Sequence, residues 1–332
     1  MGSFLEDRFK KLEAPRPAIH RALVVGGDTE LGGAVLRDLA ARGVEARGLR
    51  KWSSAAFADP SGLVSWAVGD HRQRRELEAA VAGCDVMVWA APISGGIAQV
   101  VGSVRGGLKV AAGAELSRFV FVSSLATVGE SSSAGAGSRR ERGRPLGEVD
   151  ERWHLACGYA ELEVLKAAGC GLPGLVVNPT WWMGAEGVAP DLEPWLRACV
   201  EGRVRAVSGG LVNVIDIKDA AAGVVLAALR GAEGARYTLG GHNLTLRELA
   251  DRLSQLAARP GPSMSIPDAA LLRSRGVMRR FSGVSGLSEG TLHQMCRKGD
   301  VCSERARQEL GLIVRPLEET LRETVARLKT LS

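Results

Sequence analysis

The stretch "ERWHLACGYAELEVLKAAG", residues 151–169, offers His154, Cys157 and Tyr159 as candidates for proton exchange. A histidine titrates near neutral pH, whereas a thiol or a phenol needs a lowered pKa to act there. Each role has a structural alternative. His154 could be a surface or packing residue, and Cys157 could serve as a small buried apolar side chain.

An alternation of strands and helices must position these side chains. Six apolar runs predict buried strands: "RALVVGG", "VEARGLR", "GLVSWAVGD", "DVMVWAA", "RFVFVSS" and "LPGLVVNP". The segments between them show helical spacing of apolar residues. Strands that alternate with helices pair in parallel through right-handed crossovers. The sequence therefore predicts an α/β fold with a doubly wound parallel sheet.

The regular alternation ends near residue 179, and helical patterns dominate the second half. Helices are predicted within 193–203, 217–231, 243–261, 303–311 and 316–331, the third with Asn243 and Thr245 as candidate caps. We divide the chain into an N-terminal tail (1–20), a sheet domain (21–178) and a smaller, mostly helical lobe (179–332) over the strand ends. A return of the chain to the sheet around residues 211–240 stays open.

Composition argues against several classes of protein. The chain has 332 residues, 45% of them hydrophobic, and a net charge of +6. Its basic residues are scattered, and the densest group, "SRRERGR", follows "SSSAGAG" in a predicted solvated loop, so we expect no nucleic-acid partner. The apolar runs are too short for a transmembrane segment. Six cysteines without a CxxC pair or a His-Cys cluster favour reduced thiols, no metal site and a cytoplasmic location.

Several stretches, in order and correctly spaced, resemble the extended short-chain dehydrogenase/reductase family. They are "VVGGDTELGGAVLRDLAARG", "RFVFVSSLATVG", "GLPGLVVNPTWWMG" and "GARYTLGGHNLTLRELADRL". Within the family the chain looks most like the hopanoid-associated sugar epimerase and dihydroflavonol reductase group. The resemblance implies a Rossmann-type dinucleotide-binding domain and a C-terminal substrate lobe.

The family's cofactor turn has the pattern GxxGxxG, in which the backbone approaches a pyrophosphate. Here Gly26 and Gly32 match the outer glycines, but Thr29 replaces the middle one. Asp28 and Glu30 would place carboxylates near the phosphates, where like charges repel. The resemblance therefore implies NADP binding that is weak or lost.

Further cofactor contacts follow from the same resemblance. Leu31 lies in the turn, Asp70 at the family position near the adenine, and Ala91 after the fourth strand. Arg50 and Lys51 end the second strand, where cations favour NADP over NAD. Their alternative role is that of a solvated strand end.

The family's catalytic set is a Ser, a Tyr and a Lys four residues after the Tyr. Ser124 matches the Ser, but an ungapped count places Trp153 at the Tyr position and Cys157 at the Lys position. An indole N–H cannot act as a general acid near neutral pH. A second register through Tyr159 puts Glu163 in place of the Lys, so neither register gives the pair.

Tryptophans are expected around the substrate. Trp89 ends the fourth strand, Trp153 opens the catalytic helix, and Trp181 and Trp182 follow the sixth strand. With Cys157 they form a predicted pocket that suits an apolar or aromatic ligand. Alternatively, the tryptophans fill the space of a lost cofactor.

These observations favour an atypical enzyme of a biosynthetic pathway that acts on an apolar or aromatic small molecule. Its catalytic candidates are Ser124 with His154 or Tyr159 as a substitute acid-base group. The first alternative is a non-catalytic binding or partner protein on the same fold. The second is a conventional NADP-dependent reductase or epimerase, if the register is wrong. A homodimer is compatible with each of the three.

Overall fold

The structure is a computed structural model that describes residues 19–51, 59–129, 152–267, 287 and 289–330. Its strands are β1 (Arg21–Val25), β2 (Glu45–Arg50), β3 (Val64–Val68), β4 (Val86–Trp89), β5 (Arg118–Val122), β6 (Gly174–Pro179), β7 (Trp181–Met183), β8 (Ala206–Val207), β9 (Leu211–Asp216), β10 (Arg236–Leu239), β11 (His242–Thr245) and β12 (Met264–Ser265). Its helices are α1 (Glu30–Ala41), α2 (Arg74–Val81), α3 (Ile97–Gly113), α4 (Arg152–Gly169), α5 (Glu193–Val200), α6 (Ile217–Arg230), α7 (Leu246–Leu256), α8 (Glu289–Met295) and α9 (Leu317–Thr330).

Seven parallel strands form the main sheet in the order β10-β6-β5-β4-β1-β2-β3. The order reverses beside β1, which pairs with both β2 and β4. Ligands of open α/β sheets bind at such a reversal, beyond the carboxyl ends of the strands. The predicted doubly wound, Rossmann-type sheet is confirmed, and the second half of the chain supplies its edge strand β10.

Each central strand is buried on both faces because helices cover both sides of the sheet. In β1, Ala22 and Val24 face the core that contains α1 and α6. Leu23 and Val25 face the opposite core, which contains α2, α3 and α4. This alternation fixes which helix each strand-end side chain meets.

The C-terminal lobe has its own core among α5, α7, α9 and a three-stranded sheet, β11-β9-β7. A two-stranded sheet, β12-β8, lies beside it. Thr245 caps α7 in a capping box with Glu248. The other candidate cap was wrong, because Asn243 lies in β11 and its side chain accepts a hydrogen bond from Asn213 at 2.9 Å. None of the described helices is long and apolar enough to cross a membrane.

Candidate functional site

The turn between β1 and α1 has the backbone that a glycine-rich nucleotide turn requires. Gly26 adopts a φ of 82°, and a Cβ there would lie 2.6 Å from the carbonyl oxygen of Ala90. A Cβ on Gly32 would collide with the carbonyl oxygen of Gly26. Both outer glycines are therefore required by the close approach of backbone to backbone.

Thr29 fits this turn without needing the freedom of glycine. Its φ of −86° is ordinary extended backbone, and its hydroxyl accepts a hydrogen bond from the Gly32 amide at 3.0 Å. The same hydroxyl donates to the carbonyl of Gly26 at 2.8 Å. Thr29 is thus the N-cap of α1, a role that threonine fills well.

The two carboxylates of the turn have different surroundings. Glu30 accepts a hydrogen bond from the Val188 amide at 2.8 Å and forms an ion pair with Arg327. These contacts bind α1 to the C-terminal lobe, so the Glu30 charge is compensated. Asp28 accepts a long hydrogen bond from the Lys51 amide at 3.4 Å. Both carboxylates were expected to repel a bound phosphate. In the described structure, Asp28 is the one of the two that has no cationic side chain bonded to it.

A cavity of 190 Å³ lies on the α2 and α3 side of this turn. Arg50, Lys51 and Arg72 line it together with His71, and the three basic side chains give its rim a cationic character. Ser103 on α3 contributes a buried hydroxyl that has no hydrogen-bond partner among the described residues. A purine nucleoside phosphate would meet cations at the rim and could satisfy this hydroxyl inside, so the residues fit the adenosine part of a dinucleotide.

Asp70, predicted to lie near the adenine, is not among the residues that line this cavity. It forms an ion pair with Arg72 at 2.8 Å, which lowers its pKa to about 2. Its neighbours Gly69 and His71 line the cavity instead. Burial lowers the pKa of His71 despite the attraction of Asp70, so its imidazole is neutral at physiological pH.

A larger cavity of 570 Å³ lies between the sheet and the C-terminal lobe. Its lining includes the predicted residues Leu31, Ser124, Trp181 and Trp182. Five residues line both cavities: Asp28, Thr29, Ala91, Pro92 and Ile93. The two cavities therefore adjoin across the glycine turn and the segment after β4. Residues predicted for the cofactor site and residues predicted for the substrate site thus lie next to each other at this turn.

Trp89 was expected in the substrate pocket, but it lines the smaller cavity. Its side chain is buried, packs against Gly107 and meets the His71 ring edge-on at a centroid distance of 5.3 Å. The strand pleat explains this placement, because Trp89 and Met87 share the face of β4 that packs on α3.

The predicted proton-exchanging residues of α4 are not at the larger cavity. Cys157 is fully buried and lines neither cavity, and burial raises the pKa of its thiol far above its ordinary value. Tyr159 is 42% exposed on the outer side of the helix. His154 is buried and is also absent from both linings. Trp153 lies in the first turn of α4, but its side chain is outside the described part of the structure.

Glu161 organises the segment that carries Ser124, a role that the sequence analysis did not identify. Its carboxylate is completely buried and accepts hydrogen bonds from Ser123 at 2.5 Å and from the Asn178 amide at 2.8 Å. Arg236 on β10 forms an ion pair with it. Asn178 also donates to the carbonyl of Ser124 at 3.0 Å. The signal that could have found Glu161 is its place one turn after Cys157, on the buried face of α4.

The Ser124 hydroxyl faces the larger cavity from the end of β5. Its oxygen accepts a hydrogen bond from the Ala126 amide at 3.2 Å, which leaves its proton available to a ligand oxygen. No group of three or more His, Cys, Asp or Glu side chains placed to hold a metal occurs within the described ranges. The site can therefore orient an oxygen-bearing ligand beside the glycine turn.

Comparisons with known proteins agree with this geometry. A family model described as NAD(P)H-binding matches residues 26–151. A ketoreductase from Stigmatella aurantiaca, named for a farnesylated 3,4-dihydroquinoline-1-oxide, is 32% identical over 241 residues, 66% of this chain and 67% of the relative. The chain belongs to the extended short-chain dehydrogenase/reductase family.

A further relative covers more of the chain, and a solved structure shows the same fold. Sterol demethylase protein B from Methylococcus capsulatus is 29% identical over 317 residues, 88% of this chain and 93% of the relative. The structure of a nucleoside-diphosphate-sugar epimerase from Pseudomonas aeruginosa superposes with a TM-score of 0.76 at 22% identity, covering 94% and 98% of the two chains. The family comprises NAD(P)-binding oxidoreductases and epimerases.

Proposed function

We propose that this protein is an atypical short-chain dehydrogenase/reductase-like enzyme that acts on an apolar or aromatic small molecule in a biosynthetic pathway. The observation that carries the proposal is the 570 Å³ cavity beside Ser124. Its lining is largely apolar: Leu31, Ala90, Ala91, Pro92, Ile93, Val122, Leu125, Pro179, Trp181, Trp182, Val188, Ala189 and Pro190. Mostly apolar walls with a few placed polar groups are typical of small-molecule sites.

The names of two relatives support the same substrate class. One is a sterol demethylase protein, and the other is a ketoreductase of a farnesylated quinoline. Both names describe large and mainly apolar ring compounds. In the proposed reaction Ser124 orients an oxygen of the substrate by donating its hydroxyl proton in a hydrogen bond.

For the cofactor we propose NADP(H), bound weakly. The α1 N-terminus would hold the pyrophosphate, and Arg50 and Lys51 would meet the 2'-phosphate at the rim of the smaller cavity. Asp28 opposes this binding because its carboxylate lies at the same rim. A bound nicotinamide would supply hydride chemistry to the adjoining larger cavity.

A non-catalytic binding protein is the second candidate, and Cys157 favours it. The residue at the usual Lys position is fully buried and carries no charge that could lower the pKa of a neighbouring acid. The conventional mechanism is disfavoured by the exposed position of Tyr159 and by Lys166, which is also exposed and bonds to Glu163 at 3.3 Å.

Titration with NADPH and NADH, followed by tryptophan fluorescence, tests the cofactor proposal. We expect NADPH to bind more tightly, and the double variant Arg50→Ala with Lys51→Ala to remove this preference. Arg74→Ala is the matched control, because Arg74 pairs with Glu78 on α2 and does not line the cavity. Submicromolar NADH binding would refute the proposed preference.

Turnover distinguishes the enzyme from the binding protein. The protein is incubated with NADPH and a panel of apolar ring ketones, and cofactor oxidation is followed by absorbance. We expect oxidation that Ser124→Ala reduces by about tenfold or more. Tight binding of the ketones without any turnover would favour the non-catalytic alternative.

A homodimer stays a proposal. Tyr159 and Leu162 expose apolar surface on α4, at 42% and 36% of their respective areas. Light scattering after size-exclusion chromatography measures the oligomeric state, and Leu162→Glu should shift a dimer toward the monomer.

A further inference from the structure

Four carboxylates line the larger cavity: Asp28, Glu30, Asp191 and Glu193. Three of them accept hydrogen bonds from the protein, as described above for Asp28 and Glu30. Glu193 accepts from Arg197 at 2.9 Å, one helical turn away on α5. Asp191 forms no hydrogen bond or ion pair with any residue in the described part of the chain. It is therefore the carboxylate of this cavity whose two oxygens both stay available to a ligand.

A proline-containing turn fixes Asp191 at the cavity mouth. The Leu192 amide donates to the carbonyl of Ala189 at 2.9 Å, with Pro190 and Asp191 as the central residues. Ala189 and Leu192 are buried, and the Ala189 amide bonds to the Trp182 carbonyl at 2.8 Å. Proline at the first central position presets this turn. The carboxylate is thus held in place before any ligand arrives.

Although the residue as a whole is exposed, the surrounding chain partly desolvates its carboxyl group and raises its pKa. Asp191 also contributes to the raised pKa of the Cys157 thiol, so its charge acts toward the buried face of α4. The exposed fraction indicates that a ligand can reach the carboxylate. The desolvation indicates that a hydrogen bond formed there would be stronger than one in open water.

Two more polar atoms of residues that line the same cavity have no hydrogen-bond partner among the described residues. The side-chain oxygen Oε1 of Gln294 is buried, in a residue that is 7% exposed, and no hydrogen bond to it is formed by the described residues. The indole Nε1 of Trp182 is likewise buried without a partner in the described ranges. Buried polar atoms without partners are unfavourable, and a ligand that satisfies them gains affinity.

The geometry points to a recognition subsite in which Asp191 and Gln294 receive a hydrogen-bond donor, a hydroxyl or an ammonium group, carried by an otherwise apolar ring compound. This inference rests on the proposed function, because it assumes that the cavity binds apolar rings. An anionic ligand is excluded from the subsite by like charge. Selectivity for donor-bearing ligands over carboxylates follows from the same contacts.

Four probes with one ring system test the subsite: 2-methylnaphthalene, naphthalen-2-ylmethanol, naphthalen-2-ylmethylamine and 2-naphthoate. Calorimetry measures their binding to the full chain. We expect the alcohol or the amine to bind about tenfold more tightly than 2-methylnaphthalene, a difference of about 1.4 kcal/mol, and 2-naphthoate to bind more weakly. If only the amine binds more tightly than 2-methylnaphthalene, the subsite recognises an ammonium group. If the alcohol also binds more tightly, the subsite recognises a hydroxyl.

Variants locate the effect. Asp191→Asn should weaken amine binding about tenfold, and Gln294→Met should weaken whichever donor-bearing probe binds best. Glu201→Gln is the matched control, because that carboxylate pairs with Arg203 and lines neither cavity, and its variant should bind like the parent. Thermal melts confirm folding. If Asp191→Asn does not fold, Gln294→Met and the parent's preference for amine over carboxylate carry the test.

The outcomes separate this inference from the proposed function. If 2-methylnaphthalene binds and the donor-bearing probes bind no more tightly, the subsite is refuted while the apolar cavity stands. Unchanged amine affinity in folded Asp191→Asn and Gln294→Met variants likewise overturns it. If none of the four probes binds, both the subsite and the apolar cavity are refuted.

Discussion

Replacing Glu161 by alanine tests whether this buried carboxylate holds the Ser124 segment in place. The side chain is fully buried, and its carboxylate bonds to Ser123, Asn178 and Arg236. Alanine would leave these polar groups without their shared acceptor. Arg236 has a side chain that is only 24% exposed, so its charge could not be fully hydrated in the variant.

The expected loss of stability follows from the burial of the Glu161–Arg236 ion pair. Removing one partner of a buried ion pair costs about 3–5 kcal/mol, because the other charge is left without compensation. The entropy of unfolding near the melting temperature is about 2.1 cal/mol/K per residue. For 332 residues it is about 0.7 kcal/mol/K, so the melting temperature should fall by about 4–7 °C.

Differential scanning calorimetry measures this fall, and Glu163→Ala provides the control on the same helix. Glu163 bonds to Arg105 at 2.8 Å and to Lys166 at 3.3 Å, and both partners are exposed. An ion pair with exposed partners contributes about 0–1 kcal/mol, or at most about 1.5 °C here. If the two alanine variants melt within a degree of each other, the Glu161 network does not hold the segment.

Four further substitutions probe the turn, the helix and the acid pH range. Thr29→Ala should cost about 1 kcal/mol in urea denaturation because it removes the side-chain cap on Gly32, and an unchanged midpoint would contradict the capping role. Cys157→Lys should destabilise the protein by several kcal/mol, since the site is fully buried. Cys157→Ala is the control and should be tolerated better. A thermally stable lysine variant would show that the helix can expose this position. Arg72 lowers the pKa of Asp70 from 3.8 to about 2, so the carboxylate stabilises the fold above about pH 4 and loses this effect as the pH falls through 2. Asp70→Asn should therefore be less stable at neutral pH and lose less stability between about pH 4 and 2 in urea titrations, and parallel curves for the two proteins would refute this linkage.

The centre of the main sheet could be predicted from the sequence because β1, β4, β5 and β6 are buried on both faces. Runs such as residues 118–122 and 174–179 are fully buried in the structure and leave little ambiguity. The small sheets of the C-terminal lobe could not be predicted in the same way. β7 has three residues and β11 has four, and each is defined by its pairing with β9 rather than by its own pattern.

The sequence predicted which site residues follow the ends of neighbouring strands. It did not predict the direction in which each side chain points. Ser124, Trp181 and Trp182 line one cavity because β5 and β6 end at the same edge of the sheet. Trp89 ends a neighbouring strand, yet the pleat turns it toward α3. Asp191 gave no sequence signal, because its significance lies in the absence of a bonded partner among the described residues of the fold.

The departures from the family pattern have different physical consequences. Thr29 caps α1, and Glu30 joins that helix to the C-terminal lobe through Val188 and Arg327, so the altered turn gains contacts that stabilise it. In the register that we propose, Cys157 stands where the family has its Lys, and its thiol is fully buried and neutral. The turn thus keeps a backbone that suits a nucleotide, whereas α4 presents a buried thiol at residue 157. Asp191, on another wall of the cavity, is the carboxylate there that no described residue bonds, so its role in ligand recognition is the first to test.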